Sequence, residues 1–193
     1  MNKAVFVDRD GTINVEVDYL SSVNDLVLID KALDALKLLK DSGYLIIVVT
    51  NQSGIARGYF TEDDLELIHN ELKSRLTIEK NSEKSLIDDI YFSPFHSEGS
   101  VDKYTKNSEC RKPGTGMILK AAAEHEIDLA ASFMIGDSFA DMQLAENAGM
   151  KSFLVKTGYG KKTYEKCIES GIIPFRYVNS IFEASEIISK IKI

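Results

Sequence analysis

Tryptophan is absent from this 193-residue chain, proline occurs three times and cysteine twice, and no apolar run approaches the length a bilayer crossing needs. Each shortage excludes something. Two distant cysteines, Cys110 and Cys167, cannot build a disulfide framework, so reduced thiols and a conventional apolar core are expected. The N-terminal residues MNKAVFVDRD enter a strand-like run at once and offer no apolar leader segment, which predicts a cytoplasmic protein away from the membrane. Cations are scarce as well: 23 Lys and Arg against 30 Asp and Glu leave a net charge of −7, which excludes a general attraction for nucleic acid. Any anionic ligand must be met by a few local cations. What remains, 44% hydrophobic and 27% charged residues, suits one globular domain spanning 1–193, expected to be a monomer.

Short apolar runs at 4–7, 45–49, 87–92, 133–135, 152–155 and 175–178 read as buried strands. Helical patterns lie between them at 31–41, 61–76, 115–125, 139–147 and 181–190, with Thr61 and Asp64 spaced for a capping box. Strands alternating with helices predict an α/β fold: a doubly wound, mostly parallel sheet of the Rossmann-like kind. The irregular stretch 93–114, rich in Ser, Lys and Glu, is too long for an ordinary connection and reads as a functional or mobile loop.

Four strand ends or helix starts carry chemistry. VFVDRDGTIN ends the first strand on Asp8 and Asp10, two residues apart on extended chain and so directed to one site at the sheet's carboxyl edge. As a bare Asp-Arg-Asp-Gly turn the stretch would mean little. The second strand, however, ends on Thr50, Asn51, Gln52 and Ser53, a set of hydroxyl, amide and backbone donors suited to phosphate. Another ends FMIGDSFAD, releasing Asp137, Ser138 and, one helical turn later, Asp141. CRKPGT sets Arg111 and Lys112 just before a helix start, where an anion is favoured.

In this order, DRDGT, Thr50, Lys112 and GDSFAD resemble the four motifs of the haloacid dehalogenase superfamily of aspartate-dependent phosphohydrolases, across residues 8–141. TNQSGIARGYF and CRKPGTGM point, within it, to the histidinol-phosphatase-like branch that includes sugar-bisphosphate phosphatases. The resemblance implies Asp8 as nucleophile and Asp10 as general acid and base, the latter needing a carboxyl held above its ordinary pKa. It implies Mg²⁺ held by Asp8, the Asp10 carbonyl and Asp137, with Asp141 supporting them, and Thr50 and Lys112 steadying the phosphoryl group. Glu16, Val17, Asp18 and Tyr19 match a substrate-contacting stretch. No large cap domain is expected, so specificity falls to loops 13–24, 51–60 and 93–113. The implied substrate is a small phosphorylated sugar, most nearly a heptose 1,7-bisphosphate losing its 7-phosphate, with neither nucleic acid nor membrane as partner.

Relatives of this branch commonly carry a structural zinc in the third loop. Here Ser93-Pro94-Phe95-His96 and Ser108-Glu109-Cys110 retain one cysteine of the usual ligands, so structural zinc is not expected. His96, Cys110 and Asp102 could at most form a residual site. His69 reads as lying on the exposed side of its helix, and His125 as a cation at a helix C-terminus. Arg57 is open between a second phosphate and a surface acid, while Arg111 is the better reader of a distal phosphate, because guanidinium binds phosphate with two parallel hydrogen bonds. Histidinol phosphate and a DNA 3′-phosphate are rival substrates. A receiver-type phosphoacceptor module is the rival of another class, and Asp10 argues against it, since a carboxylate beside an acyl phosphate hastens its hydrolysis.

Overall fold

The computed structural model describes residues 1–78 and 85–191. Six strands, β1 (Ala4–Val7), β2 (Leu45–Asn51), β3 (Asp89–Ser93), β4 (Phe133–Gly136), β5 (Lys151–Val155) and β6 (Arg176–Val178), form one sheet in the order β3-β2-β1-β4-β5-β6. Every pairing is parallel. The connecting helices are α1 (Ala32–Asp41), α2 (Glu62–Arg75), α3 (Gly116–Glu124), α4 (Phe139–Asn147), α5 (Gly160–Ser170) and α6 (Ile181–Ile188). This is the α/β architecture read from the sequence, and the described residues contain no large inserted cap.

The strands are apolar on both faces because both are covered. Val5 and Val7 face one core with Leu36, Ile68, Leu72 and Ile181, from α1, α2 and α6. Ala4 and Phe6, pointing the other way, face Met117, Ile118 and Leu144 from α3 and α4. β1 pairs with both β2 and β4, so the chain reverses its winding direction there. In open parallel sheets the crevice at such a switch point is where ligands bind, and β1, β2 and β4 all release their motif residues into it.

Boundaries agree with the sequence to within a few residues, and Thr61 with Asp64 closes the capping box on α2. α5 was not foreseen. Its buried positions are Gly160, Thr163 and Cys167, a narrow stripe of small residues with none of the large apolar periodicity that marks a helix in sequence. The long loop after β3 is ordered by its own contacts: the Ala56 carbonyl accepts from the amides of Ser100 and Val101, and Asp102–Tyr104 forms a 3-10 turn. Tyr104 packs on Ile55 and Phe60, and Phe95 lies 6.2 Å from the Tyr104 ring, so the third loop is built onto the second. Tyr91 takes no part, being buried in the sheet core on the α3 side.

Candidate active site

The Lys112 ammonium organises the crevice. It is 4% exposed, donates to the Val49 carbonyl at 3.0 Å, and forms ion pairs with Asp8 Oδ1 at 2.8 Å and Asp141 Oδ1 at 2.7 Å. Burial alone would push its proton off, but the two carboxylates outweigh burial and raise its pKa above the ordinary lysine value. Its backbone is held by Asn51, whose Oδ1 accepts from the Lys112 amide at 3.0 Å while Nδ2 donates to the Lys112 carbonyl at 3.2 Å. Asn51, expected at the phosphate, lines the cavity and spends its Oδ1 and one of its two Nδ2 N–H groups on holding Lys112.

Asp8, at the end of β1, accepts the Arg9 amide at 2.7 Å, and its carboxyl is raised well above the usual range by burial and then by Asp141. Asp137, 1% exposed, is raised to about 7 by burial and by Asp141. Among the described residues, Asp8, Asp137 and Asp141 form the cluster whose ligand atoms lie within 4.8 Å of one another. Three buried carboxylates sharing one ammonium make an excess of negative charge that a hard, oxygen-seeking cation would relieve, and Mg²⁺ fits this donor set. Asp141 is less free than the others: Oδ2 accepts from the Ser138 amide and hydroxyl at 3.0 and 2.6 Å, and Oδ1 faces Lys112. It orients its neighbours, and Ser138, expected to touch substrate, is likewise spent on this α4 capping box.

Two glycines make room for Asp137. A Cβ at Gly11 or at Gly158 would fall on Asp137 Oδ2, and both residues have positive φ, 73° and 53°. Gly11 belongs to the DRDGT motif, whereas Gly158 and Tyr159, whose amide donates to Asp137 Oδ2 at 2.7 Å, come from the loop after β5 and were missed. The available signal was the string TGYG at another strand end on the same edge.

Asp10 departs from expectation. Burial raises its pKa, but Arg9, Asn14 and Gln52 together outweigh burial and hold the carboxyl below its ordinary value. Asn14 Nδ2 donates to Oδ1 at 2.9 Å and Gln52 Nε2 to Oδ2 at 2.9 Å. Gln52 is therefore another residue expected at the phosphate that serves a side chain instead. It also donates to Thr50 Oγ1 at 2.8 Å, leaving the threonine's own O–H free to point outward. His69 corrects a second expectation: with Leu65, Ile68 and Leu72 it lies on the buried stripe of α2, not the exposed side.

These groups border a cavity of about 350 Å³ whose far wall comes from the three predicted loops. Glu16, Val17, Asp18 and Tyr19 line it, as do Ser53 and Arg111. Burial, then Asp10 and Asp137, raise Glu16 to about 7. Tyr19 has a left-handed φ of 59°, and its ring meets that of Tyr59 edge-on at 4.7 Å, tying the first loop to the second. Arg111 donates to the Phe95 carbonyl at 3.2 Å, and burial and the charge of Arg57 lower its pKa. Among the described residues Arg57 pairs with no acid. Its NH2 lies 3.3 Å from His96 Nε2, and its buried Nε has no partner. His96 Nδ1 accepts the Glu98 amide at 3.0 Å, which leaves the ring's proton on Nε2 and no acceptor there for Arg57. Cys110 is exposed, and among the described residues it joins no cluster of metal-ligand type.

A family model described as HAD-hydrolase-like matches residues 109–184. The chain is 45% identical over 163 residues to the D-glycero-beta-D-manno-heptose-1,7-bisphosphate 7-phosphatase of Yersinia pestis, covering 80% of this chain and 81% of that one. It is 44% identical over 157 residues to the protein of the same name in Escherichia coli K12, with 80% of each chain covered. In structure it is similar to a D,D-heptose 1,7-bisphosphate phosphatase from B. bronchiseptica solved with magnesium and phosphate: TM-score 0.81, 30% identity, 95% of this chain and 96% of that one covered.

Proposed function

The chain belongs to the haloacid dehalogenase-like phosphatases, and on that premise we propose that it removes the 7-phosphate of a D-glycero-D-manno-heptose 1,7-bisphosphate through an aspartyl-phosphate. The observation that carries the bisphosphate is a guanidinium left over in the cavity. Arg111 lines it together with Asp8 and Lys112, burial and then the charge of Arg57 behind it lower the Arg111 pKa, and neither arginine has a carboxylate within ion-pair reach among the described residues. Two adjacent guanidiniums without a counter-ion repel each other until an anion joins them, and a second phosphate supplies that anion.

At the reacting end, an Asp8 carboxylate oxygen attacks phosphorus in line. The P–O bond to the sugar breaks, and Asp10 gives the leaving oxygen a proton. Asp10 then takes a proton from water as that water attacks the acyl phosphate, releasing phosphate and restoring Asp8. A carboxyl held ionised in the empty site can act as an acid only once substrate arrives, because the incoming phosphoryl charge raises its pKa. Lys112 and the free O–H of Thr50 meet the equatorial oxygens. Mg²⁺ held by Asp8, Asp137 and the Asp10 carbonyl would offset the phosphoryl charge and polarise the phosphorus.

Two measurements test this reading. The first is a kcat/KM comparison of both anomers of the 1,7-bisphosphate with the 7-monophosphate and histidinol phosphate. Arg111→Gln is expected to lose about 10- to 100-fold on the bisphosphate, the worth of a charged hydrogen-bonded pair, and little on the monophosphate. Equal losses on both would remove the distal phosphate from Arg111. The second uses pH. Asp137 titrates near 7 in the folded metal-free chain and near 3.8 when unfolded, so its contribution to stability falls as pH rises between those values. His69, held at about 3 against 6.5, works in the opposite sense but only below 6.5. Between pH 6.5 and 8 the metal-free protein is therefore expected to weaken, and stabilisation by Mg²⁺ to grow, as the cation displaces a proton with an affinity gain of about tenfold per unit below 7. Thermal melts with and without Mg²⁺ check it; a Mg²⁺-induced shift independent of pH would exclude Asp137 as a ligand.

A further inference from the structure

Arg9 heads the fully buried side chains by size, and a guanidinium taken out of water must have its N–H groups met. Two of its nitrogens clamp Asp10: Nε donates to Oδ1 at 3.2 Å, and NH2 donates to Oδ1 and Oδ2 at 3.1 and 2.9 Å. The remaining nitrogen, NH1, meets His69 Nε2 at 3.2 Å, from 60 residues away in sequence. A guanidinium only donates, so Nε2 must accept, which leaves the ring's proton on Nδ1. The imidazole is neutral at any working pH, since burial, with the charge of Arg9 added, holds it down at about 3. Its plane is set by α2, which carries it inward beside Ile68 and Leu72, and by the Phe92 ring, 5.9 Å away edge-on.

We propose that His69 is a positioning residue for phosphoryl transfer: by accepting from NH1 it fixes the plane of the Arg9 guanidinium, and so the direction in which Asp10 presents its carboxyl to the leaving oxygen. Asn14 and Gln52 each hold a single oxygen of Asp10, whereas Arg9 alone grips both. A planar fork released at one end can tilt, and its two contacts with Asp10 tilt with it. A donor displaced by a fraction of an ångström matters most where proton transfer is part of the barrier. His69 touches neither phosphate nor sugar, and all of its influence passes through Arg9.

The inference rests on the reading of Asp10 as the leaving-group acid, and its test keeps the two apart. His69→Leu, His69→Gln and Asp10→Asn are assayed with Mg²⁺ on a sugar phosphate, whose alkoxide must be protonated, and on an aryl phosphate, whose leaving group hardly needs it. His69→Leu is expected to lose about tenfold in kcat on the sugar phosphate, part of the 10²- to 10⁴-fold that general acid catalysis supplies, with KM and aryl phosphate turnover within about twofold. His69→Gln, whose amide oxygen reaches the place of Nε2, is expected to recover most of that loss. His69→Phe, which keeps the ring's volume beside Phe92 without an acceptor, serves the same comparison if the leucine variant does not fold. Equal losses on both substrates, beside a selective loss in Asp10→Asn, would make His69 structural only and overturn the proposal. Equal losses in Asp10→Asn itself would overturn the Asp10 reading, and this inference with it.

Discussion

Asp8→Asn is expected to abolish Mg²⁺-dependent phosphate release, by at least about 10⁴-fold as for loss of a nucleophile, while leaving the fold intact. The two halves of this result have one cause. Asp8 lies 2.8 Å from Lys112 at the reacting end, yet its carboxylate is costly to the fold: burial, then the neighbouring Asp141, push its pKa well above the usual range. An amide of the same shape removes that charge. Without Mg²⁺ at pH 8 the variant should melt no lower than the parent, and with Mg²⁺ it should gain less, having lost a ligand. Turnover above a trace level would remove Asp8 from the mechanism. A collapse of the melting temperature would show instead that the carboxylate, as the partner of Lys112, holds the site together.

Lys112→Met should fail in the opposite way, losing stability along with activity. The ammonium is buried among Asp8, Asp141 and the Val49 carbonyl, and methionine of similar length leaves two carboxylates facing each other. Removing one partner of a buried ion pair costs about 3–5 kcal/mol, and this residue has two partners. The loss is expected to be largest near pH 8 without metal. It should shrink toward pH 5, where Asp8 and Asp137, both raised, take up protons, and it should shrink when Mg²⁺ is added. Activity should stay down by about 10²- to 10³-fold even with Mg²⁺, because a fixed charge on the transferring phosphoryl is gone. Denaturant melts at the two pH values, paired with single-turnover rates, decide it; unchanged stability at pH 8 would mean that the carboxylates do not depend on Lys112.

The place of the proposed catalytic residues in the crevice could be read from sequence because it is a local matter. A buried strand that ends in two acids and a glycine turn presents those acids at the sheet edge whatever the rest of the chain does, and the same holds for Thr50, for Asp137 after Gly136, and for Arg111 and Lys112 before α3. The alternation of apolar runs with helical periods likewise determines a parallel sheet covered on both faces. α5 escaped because its buried stripe is made of glycine, threonine and cysteine.

What tertiary structure alone decided is where each polar side chain spends its hydrogen bonds. Asn51, Gln52 and Ser138 look like phosphate donors in a string of letters, yet one holds the Lys112 backbone, one holds Asp10, and one caps α4. His69 reads as solvent-facing until Arg9, 60 residues away, is found against it, and Asp10 reads as an acid held above its ordinary value until Arg9, Asn14 and Gln52 are counted around it. Residue type and spacing determine which groups reach the crevice, because backbone geometry repeats. Charge state and availability depend on partners brought together from distant parts of the chain, and a buried donor or acceptor binds the nearest one because leaving it unmet costs more than any local preference can offset.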